Sequence, residues 1–414
     1  MISRDSLAPL REKRFRYFLA ARFSSLLGNA IAPIALAFAV LDLTDSASSL
    51  GIVLAARSIP MIVLMLYGGV IADRLPRHVV LVVSHVVCFG TQALAAGLLL
   101  TGSAEVWQLA AIEVVNGAAA AFTLPALFGL LPHLVSREHL QQANALSGAI
   151  RTITMIGGAS LGGVIVGLAG SGWGLAFDAV TFGVAAILIS RLKVGGIPVG
   201  ERTSTLHDLR VGWREFVSRR WVWVVVVAFT ALNMIIAGAW NTLGPVVADD
   251  TFGRTAWGAI LAFNALGFFL GTLLMLRFRP RHPMRIAMLA MVLEAPLIAL
   301  LGWYPNAIVL CAAALVAGTG VSIFAVIWET ALQQRIPHEK LSRVVSYDML
   351  GSFIALPLGQ LLAGPLATAF GVSTVVVAAA GVYAVVILLA VADRSVWSLR
   401  PLADSVERER ETAT

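Results

Sequence analysis

Among the charged residues that interrupt apolar stretches of the chain are Arg22, Arg57, Glu113 and Arg151. At the centre of a membrane helix each costs about 2.5–3.5 kcal/mol on insertion scales, so such a residue faces a partner or a water-filled cavity. One acid stands here among three permanent cations. Glu113 can gain and lose a proton, and alternate pairing with Arg57 or Arg151 would change its proton affinity between two conformations. The competing reading is a static buried ion pair. No G-x-x-x-x-G-K-[ST] loop for ATP and no H-E-x-x-H helix occurs. Cys88 and Cys311 fall in apolar runs and the histidines are scattered, which predicts no disulfide framework, no metal cluster and no cofactor. The chain is not expected to be an enzyme.

The elements that must position these residues follow from composition. Of 414 residues, 58% are hydrophobic and 13% charged, with a mean hydropathy of +0.86, whereas soluble domains are about 25% charged. A helix needs about 20 apolar residues to cross a bilayer. Twelve runs of that order follow one another, from 16–41 to 372–392, about twice as long as barrel strands, and so read as helices. The first, second, fourth and fifth hold the four charges. Apart from Arg254 and the three arginines inside runs, all of the 30 Lys and Arg fall at the termini or in alternate loops. That asymmetry predicts both termini in the cytoplasm. It also accounts for the net charge of +7 through topology and anionic lipid, with no nucleic-acid partner. The charged opening predicts no cleaved signal peptide.

The chain repeats itself. Pro-Arg-His occurs at 76–78 and again at 280–282, each time in a short loop after an apolar run. The segment from Val135 aligns with that from Ile336, matching Glu138 with Glu339, Leu140 with Leu341, Gly158 with Gly359 and Gly163 with Gly364. Six helices are therefore duplicated in parallel orientation. The expected organisation is an N-terminal six-helix bundle (1–193), a cytoplasmic linker (194–220), a C-terminal six-helix bundle (221–393) and a cytoplasmic tail (394–414). Within the linker, Leu206, Leu209, Trp213, Phe216 and Val217 share one face of a predicted amphipathic helix lying on the membrane surface. Gly158-x-x-x-Gly162 and Gly163-x-x-x-Gly167 in the fifth run, and Gly267-x-x-x-Gly271 in the eighth, permit close helix approach.

Between the second and third runs, Gly69-x-x-x-Asp73-Arg74-x-x-Arg77-His78 resembles the signature loop of the major facilitator superfamily, with Pro76 in place of the usual Gly and His78 in place of a permanent cation. "FTLPALFGLLPHLVSREHLQQANALSGAIRTI" and "FDAVTF" resemble the branch of that superfamily containing the enterobactin exporter and macrolide-efflux proteins. The resemblance implies an all-α integral membrane protein with twelve transmembrane helices in two six-helix bundles rocking around a central cavity. It implies a gating role for Gly69, Asp73, Arg74 and Arg77, with Asp73 facing Arg77 or Arg343 at the start of the eleventh helix. It also implies packing between the fifth and eighth helices, and places Arg22, Arg57, Glu113 and Arg151 on cavity helices. In the resembling helix-4 pattern an arginine stands where this chain has Glu113. Asp178, read near the outer end of the sixth helix, and Glu294 of the ninth fall on scaffold helices, as structural pairs. Glu329 and Asp348 are expected to join Arg335 and Arg343 in a cytoplasmic charge network, and Asp42 to sit at the outer rim. Asn29, Asn233, Trp240, Asn241 and Trp328 are the candidates for contact with substrate.

The function this implies is secondary transport in a bacterial cytoplasmic membrane. The first reading is proton-coupled export, by antiport and alternating access, of small amphipathic molecules such as drugs, antibiotics or siderophores. The alternatives are an importer on the same fold and a non-transporting receptor or assembly subunit. The expected partners are a small-molecule substrate, protons and the lipid bilayer, with the chain acting as a monomer.

Overall fold

The computed structural model describes residues 4–74, 76–131, 134–192, 213–278, 280 and 282–397. Among them there is no strand, and twelve helices are long and apolar enough to cross a membrane. A chain in hydrocarbon must satisfy its backbone groups internally, and in runs of this length a helix does so. The first six are α1 (Lys13–Thr44), α2 (Ala47–Arg74), α3 (Arg77–Leu100), α4 (Val106–Leu130), α5 (Leu140–Ala169) and α6 (Ser171–Ser190). The seventh, α7, runs as Arg220–Ile235, widens to a π-helical turn over Ile236–Thr242 and ends as Leu243–Asp250. Next comes α8 (Arg254–Arg277), followed by α9, which is Pro283–Met291 and then Glu294–Trp303. The last three are α10 (Ala307–Arg335), α11 (His338–Phe353, then Leu356–Phe370) and α12 (Val372–Ala392).

The breaks in α9 and α11 have a common cause. Pro296 and Pro357 lack an N–H and their rings crowd the carbonyl four residues earlier, so each helix is interrupted just ahead of its proline. In α11 the carbonyls of Gly351 and Ser352, next to the break, accept hydrogen bonds from Thr230 (2.7 Å) and Asn233 (2.9 Å) of α7. The connections also echo each other. Gly170 joins α5 to α6 at φ 94°, and Gly371, at the same 201-residue offset as the aligned segments, joins α11 to α12 at φ 82°. Only glycine adopts such angles readily.

The chain divides into two compact units, Met1–Glu201 with Ala248–Ala262, and Arg202–Val247 with Phe263–Thr414. In the first, α1 packs on α5 and α6, α2 on α4, and α3 on α4 and α6. One end of its core is filled by Phe15, Phe18, Leu81, Leu130 and Ile189. Arg254 belongs to this unit and binds Asp42 of α1 and Asp249, while Ser171 donates to the same Asp42 (3.0 Å). In the second unit α9 packs on α10 and α12, and α7 on α11.

Of the predicted linker helix, residues 213–218 are helical, and 194–212 lie outside the described residues, as does the tail beyond 397. Trp213 and Phe216 pack their rings on Tyr347 of α11. Glu215 accepts from Lys340 (2.8 Å) and Arg219 (2.6 Å), and these two bonds, Lys340's first, hold its carboxyl below the usual range.

Candidate functional site

The contact between α2 and α4 is set by a glycine. A Cβ on Gly117 would collide with the backbone carbonyl of Arg57, so only glycine lets the two helices lie this close. One turn before Gly117 on α4 is Glu113, and the close approach delivers the Arg57 side chain to it. Arg57 Nη1 donates to Glu113 Oε2 at 3.2 Å. Asn116, three residues on and so on the same helix face, donates through Nδ2 to Oε1 at 3.0 Å. Thr91 Oγ1 of α3 donates in turn to Asn116 Oδ1 at 2.6 Å, which fixes the amide. Both carboxylate oxygens of Glu113 are therefore occupied. The acid is 1% exposed while the Arg57 side chain is 29% exposed, so the carboxylate is the more tightly enclosed partner.

A second acid lies within electrostatic range of this pair. Asp178 of α6 is fully buried, and both Arg57 and Glu113 act on it. It sits two turns into α6 rather than near the helix end, and it does not make the structural pair expected of it. Among the described residues Oδ1 has only a long contact with Thr181 Oγ1 (3.5 Å), whose hydroxyl also faces the Asp178 carbonyl at 2.7 Å, and Oδ2 meets no donor. Gly28 of α1 lies against this acid, where any Cβ would strike Asp178 Oδ1 and Thr181 Oγ1.

The other span arginines are elsewhere. Arg22 and Arg151 act on each other as like charges, and Arg151 is exposed. Gly69, Asp73, Arg74 and Arg343 lie outside the residues whose side chains are described; the backbone of the first three closes α2. In α5, Gly158 and Gly162 face Ala30, Leu27 and Ile31 of α1, while Gly163 and Gly167 face Gly258 and Thr255 of α8. The glycine of α8 that meets α5 is thus Gly258, a position without a G-x-x-x-G frame. Gly267 and Gly271 instead face the carbonyls of Leu315 and Thr319 on α10.

Among the substrate candidates, Asn29 bonds back to Ser25 of its own helix (2.9 Å), Asn233 is held by Ser352, Trp240 is buried and Asn241 is exposed. Trp328 donates to Asp348 Oδ2 at 3.0 Å and belongs to an aromatic cluster with Trp221, Phe324 and Phe229. Asp348 is therefore bound to an indole. Glu294 accepts from the buried Tyr383 hydroxyl at 2.8 Å. Among the described residues no group of His, Cys, Asp and Glu could hold a metal ion.

A duplicated set of spanning helices with buried charge defines a polytopic membrane protein, and solved structures share the architecture. The nucleoside transporter NupG aligns with a TM-score of 0.70 at 17% identity, covering 92% of this chain and 98% of its own. A bacterial homologue of the iron transporter ferroportin, in its inward-facing state, aligns at 0.72 and 16% identity over 92% and 99% of the two chains. Over residues 4–407 the sequence matches the transmembrane secretion effector family of the major facilitator superfamily, and the chain belongs to it. Its relatives include the multidrug efflux pump Tap of Mycolicibacterium fortuitum, 27% identical over 85% of this chain and 89% of that one. The enterobactin exporter EntS of Shigella dysenteriae is 24% identical over 86% and 87%. The protein is a multi-pass membrane transporter of the efflux-related major facilitators, and not an enzyme.

Proposed function

We propose that this transporter exports small amphipathic molecules, of the drug, antibiotic or siderophore kind, in exchange for protons, by alternating access. The observation that carries the reading is the buried Arg57–Glu113–Asn116 network of the N-terminal bundle. A pair whose only purpose was stability would be a poor choice, because apolar side chains of similar volume do as well or better at a buried position. A pair that opens and closes with conformation changes the proton affinity of its acid, and this is what coupling needs. Export as the direction rests on the efflux relatives. In the same reading both termini are cytoplasmic, in line with the Lys and Arg distribution, and the protein works as a monomer.

Two experiments test the proposal. Cells making wild-type protein or Glu113→Gln are loaded with ethidium, and efflux is followed with and without a protonophore. Uncoupler-sensitive efflux that the variant lacks at equal expression is expected; wild-type efflux indifferent to the uncoupler sinks the coupling. We further propose that Asp73, with Arg74, Arg77 and Arg343, holds the cytoplasmic side closed between turnovers. Asp73→Asn should then slow efflux with membrane expression unchanged, and an unaltered rate removes that role.

A further inference from the structure

The network above leaves one charge without an account. Among the described residues one guanidinium, Arg57, lies within electrostatic range of two carboxyls, Glu113 of α4 and Asp178 of α6. Arg57 Nη1 bonds Glu113, whose other oxygen holds the Asn116 amide. Asp178 is fully buried, and among the described residues its Oδ2 has no donor and its Oδ1 has only the long Thr181 contact. A carboxylate in that state would be a buried charge with no direct cation and an oxygen without a donor, and a proton taken up there relieves that cost.

We infer that Asp178, on a helix that sequence reasoning treats as scaffold, is the group that carries the transported proton while Arg57 is engaged with Glu113. This rests on the proton-coupled reading above and adds the identity of the proton-bearing residue. Turning Arg57 from Glu113 to Asp178 exchanges the roles of the two acids, so that one guanidinium and one proton serve two carboxyls. Arg57 is suited to that motion because its side chain is less tightly enclosed than either carboxyl. The space for Asp178 is built in, since Gly28 removes the Cβ that would otherwise occupy its position.

The other ionisable groups on the packed helices do not take the place of Arg57. On α3, Cys88 comes within electrostatic range of the cluster. His85, also on α3, is bonded through Nδ1 to the carbonyl of Leu81 and set edge-on to Phe182. On α1 and α5, Arg22 and Arg151 act on each other, and Asp42 is engaged by Arg254 and Ser171. Thr181 is the hydroxyl neighbour on α6 itself.

Infrared spectra of the purified transporter in lipid nanodiscs at neutral pH read proton occupancy directly, through the carbonyl stretch of a protonated carboxyl. The wild type is expected to show a protonated-carboxyl band, of which Asp178→Asn removes a component that Glu294→Gln, altering the tyrosine-bonded acid of the other unit, leaves in place. If Asp178→Asn does not yield a monodisperse protein, carboxyl-labelled 13C-aspartate in an Asp348→Asn background decides the same point, because the band must shift on labelling. An Asp178→Asn spectrum that overlays the wild type, or a band indifferent to labelled aspartate, overturns the assignment. The spectra do not depend on transport. A protonated Asp178 in a pump indifferent to uncouplers would sink the coupling while leaving the assignment, whereas uncoupler-sensitive efflux with the band unchanged would do the reverse.

Discussion

The two units solve the same packing problem with different chemistry. In the first, Gly117 of α4 lies against the carbonyl of Arg57, and Arg57 bonds the side chain of Glu113 one turn earlier on α4. In the second, Gly318 of α10 lies against the carbonyl of Asn264, and Asn264 Nδ2 bonds the backbone carbonyl of Ala314 one turn earlier on α10 (3.3 Å). Gly117 and Gly318, like Glu113 and Ala314, coincide at the 201-residue offset. The backbone arrangement has been kept after duplication and the charges have not. A neutral amide is therefore sufficient to hold these two helices together, so the ion pair of the first unit is not required by packing. That contrast is the physical reason for placing the proton chemistry in the first unit.

The comparison breaks most sharply at Arg57. Arg57→Met leaves Glu113 buried without its cation and should destabilise the protein by about 3–5 kcal/mol, seen as a loss of thermal stability in detergent. The double variant Arg57→Met/Glu113→Leu removes both charges and should recover most of that stability while transport stays absent. A double variant as unstable as the single one would mean that the pair is structural. The matching change in the second unit, Asn264→Leu, removes one interhelical hydrogen bond, worth about 0.6 kcal/mol in membrane proteins. Ethidium efflux should continue at near wild-type rate, and a loss equal to that of Glu113→Gln would erase the distinction between the units.

An effect of similar size is expected outside the membrane. The Glu215 carboxyl is held low by Lys340 and Arg219, and that of Asp393 is brought down to about 2 by Ser395 and then Arg220. A carboxyl with a depressed folded-state value contributes stability above its unfolded value, about 4.3 for Glu, and this is lost as pH falls through the folded value. Glu215→Gln should therefore lower stability by about 1 kcal/mol or less at neutral pH and by nothing once the wild-type carboxyl is protonated. Melting curves of both proteins, converging as the solution is acidified below pH about 4, check the sign.

The twelve spans, the duplication and the residues Arg57 and Glu113 are legible in the sequence, because hydropathy and rare charges carry strong signals in apolar runs. Which charges meet is less legible. Arg151 was as available a partner for Glu113 as Arg57, and the choice is made by Gly117, whose role appears only when α2 is seen against it. The role of Asp178 is hidden in the sequence for a related reason. In a run apolar on all sides, helical periodicity does not say which face turns inward, and the spacing Asp178-x-x-Thr181 was the one local sign of a polar face. Gly258 escaped notice because it stands alone, whereas Gly267 and Gly271 advertised a motif and turned out to serve α10. The breaks of α9 and α11 had their signals in Pro296 and Pro357, within runs read as continuous.

The most direct test of the account is proton movement driven by substrate. Proteoliposomes containing wild type, Glu113→Gln or Asn264→Leu are given an ethidium gradient with no proton gradient, and lumen pH is followed with a trapped dye. The account predicts ethidium-driven proton flux for wild type and Asn264→Leu and none for Glu113→Gln, in which Arg57 is left to Asp178 alone. Undiminished flux in Glu113→Gln, or its loss in Asn264→Leu alone, would contradict the assignment of coupling to the first unit.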